Sequence, residues 1–174
     1  ANIAPGKFRN HFGFMRWTDF DVDLFNRIKK KATDDEVIPR VRIRAGDILE
    51  SAIDEATANL KSAGISEFVT LVCSDIRNVN ANGEQGHIFI NPPYGQRIRP
   101  EELGMLYDNI GSVMKHNFTG NRVWVITAAK EMIKNIGLKP GVKHTLYNGA
   151  LESLLVGYEI YEGSRKIARD KTST

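Results

Sequence analysis

The fold of this chain is decided by the stretch His87-Ile88-Phe89-Ile90-Asn91-Pro92-Pro93-Tyr94-Gly95. Residues 88–90 form a short apolar run, which predicts a buried strand. The strand must end at Asn91, because two consecutive prolines cannot continue a ladder and each proline keeps the residue before it out of the helical region. The sequence therefore predicts a stiff turn at the carboxyl end of a strand, with an amide at its start and an aromatic ring at its end.

This turn has the chemistry of a binding site. In open α/β sheets, ligands bind outside the carboxyl ends of the strands. The amide oxygen of Asn91 and nearby main-chain carbonyls can accept hydrogen bonds from an amine, and the ring of Tyr94 can cover a flat base. The turn therefore favours a planar substrate with an exocyclic NH2 group. Taken alone, Asn-Pro-Pro-Tyr fits a strand-ending loop without chemistry equally well.

Strands and helices alternate along the rest of the chain. A first helix is predicted after Thr18, its expected N-cap. Further strands are predicted at 41–48, 68–73 and 122–127, with helices at 49–63, from 100 and at 130–136. The tail from His144 to Tyr161 predicts two antiparallel strands joined near Asn148-Gly149. This order predicts an α/β sheet that is parallel until its final, antiparallel strand.

Apolar side chains recur at helical spacing in the segment that follows Pro100. They are Leu103, Leu106, Tyr107, Ile110, Val113 and Met114. Such a stripe is typical of a helix face that packs on a core. Phe20, Leu24, Phe25 and Ile28 form a similar face on the first helix, and Trp17 and Trp124 are also expected in the core.

Length and composition describe an ordinary single domain. The chain has 174 residues, of which 41% are hydrophobic and 26% charged. It has no apolar run of the roughly 20 residues that span a bilayer, so no membrane is expected. The single cysteine, Cys73, excludes an intrachain disulfide and fits the reducing cytoplasm. The net charge of +3 permits a polyanionic partner.

Two acids follow predicted strands, namely Asp47 and Asp75. A carboxylate at a strand end can accept hydrogen bonds from ribose hydroxyls or from an adenine amine. Either acid alone fits a helix cap or a solvated surface group. Two of them, on strands near the Asn91 turn, point towards a cofactor that contains adenosine. The four histidines share no metal-ligand spacing, so no metal site is expected.

In their order along the chain, several segments resemble one family. They are Asn2-Ile3-Ala4-Pro5-Gly6, Trp17-Thr18-Asp19-Phe20-Asp21, Gly46-Asp47-Ile48, Asn91-Pro92-Pro93-Tyr94-Gly95 and Lys143-His144-Thr145-Leu146-Tyr147-Asn148-Gly149-Ala150-Leu151-Glu152. The set resembles the class I S-adenosylmethionine-dependent methyltransferases, specifically the ribosomal RNA guanine N-methyltransferases that often carry an RNA-binding THUMP domain upstream. The resemblance implies a Rossmann-like sheet and one catalytic domain over residues 1–174.

The resemblance also implies a cofactor, S-adenosylmethionine, and the residues that bind it. These are Asp47, Ile48, Asp75, Ile76 and Asn91. Asp47 would bind the ribose and Asp75 the adenine amine. Family members usually carry a second acid two positions after Asp47, where this chain has Leu49.

The target base would be held by the catalytic residues Asn91, Pro92, Pro93 and Tyr94. The base amine would donate hydrogen bonds to the Asn91 side chain and the Pro92 carbonyl, and Tyr94 would stack on the ring. Because methyl transfer from a sulfonium needs no metal and little acid–base help, catalysis would be mainly positioning. Arg97 and Lys143, with Arg99 and Lys139, are candidates for contacts with RNA phosphates, although scattered surface cations are normal.

The family pattern places a first strand and a glycine-rich cofactor loop before the segment that resembles Asn2 to Gly6. This strand would lie between the Asp47 strand and the Asn91 strand. The expectation is therefore a domain that is incomplete at its amino end, binds S-adenosylmethionine weakly by itself, and completes its sheet by self-association or with a missing segment. Two other functions stay open: methylation of an adenine amine in DNA or RNA, and a non-catalytic remnant that binds RNA or protein.

Overall fold

A computed structural model describes residues 1–93 and 98–162, which group into two compact units. The first unit contains residues 1–46 and 51–72, and the second contains residues 47–50 and those from 73 onwards. Tyr94 and Arg97, two of the predicted site residues, lie outside the described part of the chain.

The first unit contains two helices and a pair of strands. In chain order they are helix α1 (Val22–Asp34), strand β1 (Ile43–Asp47), helix α2 (Glu50–Ala63) and strand β2 (Val69–Cys73). The last residue of each strand and the first of α2 count with the second unit. β1 and β2 are hydrogen-bonded neighbours in a two-stranded sheet.

Helix α1 begins later than the sequence predicts, so Thr18 as its N-cap is wrong. The amide of Phe20 donates to the carbonyl of Trp17 at 3.2 Å, which keeps this segment in a turn. Asp21 caps the helix instead, because its carboxylate accepts a hydrogen bond from the amide of Leu24 at 2.8 Å.

The second unit contains a four-stranded sheet. Its elements are strand β3 (His87–Ile90), helix α3 (Pro100–Asn117), strand β4 (Arg122–Thr127), a 3-10 helix (Lys130–Ile136), strand β5 (Val142–Asn148) and strand β6 (Leu151–Glu159). The strand order is β3-β4-β6-β5, with β3 parallel to β4 and β6 antiparallel to both of its neighbours. This pattern confirms the predicted α/β sheet that is closed by an antiparallel hairpin.

The described core lies entirely in the second unit. Helix α3 buries the predicted side chains Leu103, Tyr107, Ile110, Val113 and Met114, and Leu106 is partly buried. Val123 and Val125 of β4 and Val156 and Tyr158 of β6 contribute side chains to the same cluster. The sheet therefore has one face covered by helix, as a layered α/β architecture requires.

The Asp47 strand and the Asn91 strand lie in separate sheets. β1 pairs with β2, β3 pairs with β4, and no strand of residues 1–93 or 98–162 hydrogen-bonds to both pairs. None of the described helices combines the length and the hydropathy that crossing a membrane would need.

Candidate cofactor and target-base site

The ends of β1 and β2 lie side by side. The amide of Ser74 donates to the main-chain carbonyl of Asp47 at 2.9 Å, and the thiol of Cys73 lies 3.6 Å from the carbonyl of Ile48. Asp47 and Asp75 therefore leave neighbouring strands within one residue of this contact. The structure brings together the two acids that the strand-end rule singles out.

Only one oxygen of the Asp47 carboxylate accepts a hydrogen bond from a described residue. One oxygen accepts a hydrogen bond from the amide of Leu49 at 2.9 Å, which tightens the turn into α2. No described residue donates to the other oxygen. Leu49, which stands where the family usually has a second acid, thus contributes its backbone amide, and Asp47 keeps an acceptor for a hydroxyl donor.

Asp75 caps the short 3-10 helix Ile76–Asn78 and is held by Arg77. One of its oxygens accepts from the amide of Arg77 at 2.8 Å and from the guanidinium Nε at 3.0 Å, and the other accepts from a terminal guanidinium nitrogen at 2.7 Å. These hydrogen bonds lower the pKa of Asp75 to about 2. A carboxylate offers about four acceptor positions, so the Asp75 carboxylate has room for one further donor.

Arg77 was not among the residues that the sequence singled out. It follows Asp75 by two positions. The 3-10 turn brings the two side chains together. The available signal was an arginine directly after a strand-end Asp-Ile pair.

Ile76 connects this edge to the core. Its side chain is partly buried against the cluster that also contacts Ile88 and Ile90 of β3. The carbonyl of Val79 accepts a hydrogen bond from the Asn117 side chain of α3 at 2.8 Å. The segment after Asp75 is therefore held by the same core that supports the strand before Asn91.

The proline corner follows the last paired residue of β3. Ile90 pairs with Val125, and Asn91 comes next at the carboxyl end of the parallel pair. Asn91 and Pro93 are exposed, whereas Pro92 is buried. The corner is thus anchored by the Pro92 ring, and Asn91 beside it is exposed. Tyr94, the next residue, is not described.

The basic candidates that the structure describes are Arg99, Lys139 and Lys143, and all three are exposed. Lys143 of β5 is exposed and shares a row of the sheet with Val156, Val125 and Ile90, so two strands separate it from β3. That separation is about 14 Å at the usual spacing between strands. Arg99 forms an ion pair with Glu102, and Lys139 is exposed. The described residues contain no cluster of three side chains able to hold a metal ion.

Comparisons with known proteins agree on one family. The profile of UPF0020, described as the RMKL-like methyltransferase domain, matches residues 1–156. The Ribosomal RNA large subunit methyltransferase K/L of Allochromatium vinosum is 33% identical over 166 residues. That match covers 92% of this chain and 23% of the relative, so the chain spans about a quarter of the relative's length.

Solved structures with the same fold include two with long matches. SMU.472, crystallised with SAH, superposes with a TM-score of 0.81 at 25% identity, covering 94% of this chain and 43% of that one. A protein from Listeria monocytogenes described as a predicted N6-adenine-specific DNA methylase gives a TM-score of 0.73 at 27% identity, covering 94% and 41%. In both cases the chain matches less than half of the structure.

Proposed function

Because the chain belongs to the UPF0020 family of RMKL-like methyltransferase domains, we propose that it is part of an S-adenosylmethionine-dependent RNA methyltransferase. The acceptor is the exocyclic amine of a guanine in ribosomal RNA, and residues 1–174 belong to its catalytic domain. The name of the Allochromatium vinosum relative supports ribosomal RNA as the substrate. The single observation that carries the proposal is the contact between two strand ends that present Asp47 and Asp75.

The chemistry of these strand ends fits the cofactor. Ribose hydroxyls and the adenine amine are hydrogen-bond donors, and the Asp47 and Asp75 carboxylates each keep an open acceptor position. In this proposal Asp47 binds the ribose, Asp75 binds the adenine amine, and Ile48, Ile76 and Asn91 complete the contacts. The bound cofactor supplies the electrophilic methyl group. SAH in the SMU.472 structure is the form of this cofactor after transfer.

In the proposed reaction, the chain's own residues position the nucleophile. The Asn91 amide oxygen and the Pro92 carbonyl accept hydrogen bonds from the target amine and aim the nitrogen lone pair. Pro93 stiffens the corner, and Tyr94 stacks on the base. A target base inside a helix is first swung out of its stack. Arg97 and Lys143 contact RNA phosphates away from the reacting atoms.

A second candidate function changes the acceptor and keeps the reaction. An adenine amine, in DNA or RNA, meets the same hydrogen-bond acceptors at the proline corner. The likeness to the Listeria monocytogenes protein supports this alternative. The two functions therefore differ in the methylated nucleoside and not in the roles of Asn91 and Pro92.

The open edge of β3 completes the proposal. Among the described strands β3 pairs with β4 alone, and its other edge carries unpaired backbone groups that favour a further strand. A second copy of the chain or a segment outside residues 1–174 supplies that strand in the cytoplasm. Without it, the chain binds S-adenosylmethionine weakly. Calorimetry that finds micromolar binding by the 174-residue chain contradicts this part of the proposal.

The test of function uses the complete product of the coding sequence, ribosomal RNA and methyl-labelled S-adenosylmethionine. Mass spectrometry of the digested nucleosides should find label in a methylated guanine. Label in a methylated adenine favours the second candidate, and RNA binding without any label indicates a non-catalytic protein.

The matched variants for this assay are Asn91→Ala and Asn59→Ala, both at exposed asparagines. Asn91→Ala should reduce kcat/KM by about 100-fold, because a misplaced acceptor misaligns the reacting atoms. Asn59→Ala on α2 should leave the rate unchanged. Equal activity of the two variants removes Asn91 from the site.

A further inference from the structure

The segment before α1 combines exposed aromatic rings with cations. Residues 1–18 contain Lys7, Arg9 and Arg16 but no aspartate or glutamate. Aromatic residues are interleaved with them at Phe8, Phe12, Phe14 and Trp17. The sequence predicted Trp17 in the core, and this prediction is wrong because the residue is 68% exposed.

The rings of this segment form a continuous series of contacts. The Arg9 guanidinium lies 5.4 Å from the centroid of the Phe12 ring, which stacks on Phe14 at 5.2 Å. Phe14 in turn meets the Trp17 ring edge-on at 6.4 Å. We call Arg9, Phe12, Phe14, Arg16 and Trp17 the aromatic–arginine patch.

The backbone under this patch is held in place. A 3-10 helix spans Gly13–Arg16, and the amide of Trp17 donates to the carbonyl of Phe14 at 3.0 Å. The Phe14 ring also contacts Phe25 of α1 at 5.8 Å. The exposed indole is therefore presented by a supported turn, which lowers the entropy cost of binding through it.

The two arginines of the patch differ from Lys7 in their ion pairing. Lys7 forms an ion pair with Glu36 at 2.7 Å, whereas no carboxylate of the described residues pairs with Arg9 or Arg16. The exposed indole of Trp17 alone would be compatible with a protein partner. The guanidinium groups of Arg9 and Arg16, which form no ion pair with a described residue, favour a polyanion with flat rings, and single-stranded RNA has both features.

We propose that the aromatic–arginine patch binds a single-stranded segment of the RNA substrate, with a base on Trp17 and phosphates at Arg9 and Arg16. The inference rests on RNA as the substrate of the proposed function. It adds a contact surface in the first unit, formed by residues other than those proposed to act on the target base.

The test measures binding of a fluorescein-labelled 12-nucleotide oligouridylate to the 174-residue chain, without cofactor. Trp17→Leu should weaken binding by about tenfold, the usual scale for losing one stacked base, and Trp17→Phe should restore part of it. Arg16→Gln should reduce the slope of log K against log salt by about 0.7, because one phosphate contact is lost. In a Trp124→Phe background, RNA should quench the fluorescence of Trp17.

The matched controls are Tyr147→Leu, at an aromatic residue that is 69% exposed on β5, and Arg122→Gln, at an arginine that is paired with Glu159. Both should bind RNA as the unchanged chain does, and circular dichroism checks that every variant is folded. Unchanged RNA binding by Trp17→Leu and Arg16→Gln overturns the inference. The inference is also overturned if Trp17→Leu changes the sedimentation coefficient of the chain and leaves RNA binding unchanged, since the patch is then a contact between protein chains. A protein that binds RNA through the patch but transfers no methyl group overturns the proposed function alone.

Discussion

The two compact units of the chain differ in how they bury their apolar side chains. Apart from Pro92, every buried apolar residue of the described chain lies between Leu103 and Ile160, and all of them belong to the second unit. Helices α1 and α2 of the first unit bury none of their residues completely, although both carry apolar faces. Ile28 of α1 remains 58% exposed, whereas Ile136 of the second unit is 1% exposed.

Because of this difference, the two units should contribute unequally to the free energy of folding. The second unit has a sheet, a covering helix and a closed core, so its packing supplies most of the free energy of folding. The first unit relies on local contacts such as the Asp21 cap and the contacts among its phenylalanines. Substitutions should therefore be costly in the second unit and mild in the first.

The largest expected effect is at Gly111, where α3 meets the 3-10 helix that ends at Ile136. A β-carbon at position 111 would lie 2.0 Å from the carbonyl oxygen of Ile136, and a backbone atom cannot move aside as a side chain can. Gly111→Ala should lower the free energy of unfolding by about 3 kcal/mol or more, measured by urea denaturation.

The control for this substitution is Gly13→Ala in the first unit. A β-carbon at position 13 meets nothing within 4 Å. The free energy of unfolding should change by less than about 0.5 kcal/mol. Equal losses at the two glycines contradict the contrast between the units.

A matched pair of isoleucines gives the second test. Ile136→Ala removes a side chain from the core and should cost about 3 kcal/mol, because it leaves a cavity. Ile28→Ala removes the same atoms from the exposed face of α1 and should cost less than about 0.5 kcal/mol. If Ile28→Ala lowers the free energy of unfolding as much as Ile136→Ala does, the apolar face of α1 is covered in solution. Hydrogen exchange then identifies the protected amides of α1.

The sequence predicted helix α3 well, because its periodicity and its packing agree. The burial predicted for the strand at 88–90 and the core position predicted for Trp124 are wrong, because Phe89 is 71% exposed and Trp124 is only partly buried and outside the core cluster. The α3 stripe named six side chains, and only Leu106 stays partly exposed. In the first unit the same reasoning identified an apolar face on α1 but not its exposure. Periodicity predicts which side of a helix is apolar, but it does not predict which other element covers that side. For the same reason the core position predicted for Trp17 is wrong.

At the candidate site, the sequence predicted the position of Asp47 and Asp75 at strand ends but not their hydrogen-bond partners, and the roles of the two acids stay predictions. Parallel strands end at a common edge, and this rule brought Asp47 next to the segment that leads to Asp75. The engagement of Asp75 by Arg77 depends on a 3-10 turn of three residues, which no periodicity indicates. Strand-end acids are therefore predictable from sequence, and their local partners are not.

Two tyrosine hydroxyls in the core give the third test. The hydroxyl of Tyr107 bonds the Thr127 hydroxyl at 2.6 Å, whereas no described residue bonds that of Tyr158. Tyr107→Phe should lower the free energy of unfolding by about 1 kcal/mol, because Thr127 loses a buried partner. Tyr158→Phe should be neutral or stabilising, because it removes a buried hydroxyl that has no described hydrogen-bond partner. The same burial raises the pKa of Tyr158 to about 12. A loss at Tyr158 equal to that at Tyr107 requires a partner for Tyr158 outside the described residues.

The smallest expected effect is at Asp75, which belongs to the second unit but lies at its surface. Hydrogen bonds from Arg77 hold the pKa of Asp75 at about 2, below the ordinary value of 3.8. A carboxyl with a lowered pKa in the folded chain stabilises the fold above about pH 4, and this contribution is lost as the pH falls through about 2.

Arg77→Ala keeps the backbone hydrogen bond and removes the guanidinium, so the pKa of Asp75 should rise part of the way to 3.8 in a carbon-13 NMR titration of the carboxyl group. Asp75→Asn retains an acceptor for the cap and should remove this part of the acid dependence. If Asp75 titrates identically with and without the Arg77 side chain, the ion pair does not set the charge at the strand end, and the acceptor proposed for the adenine amine is oriented by the backbone alone.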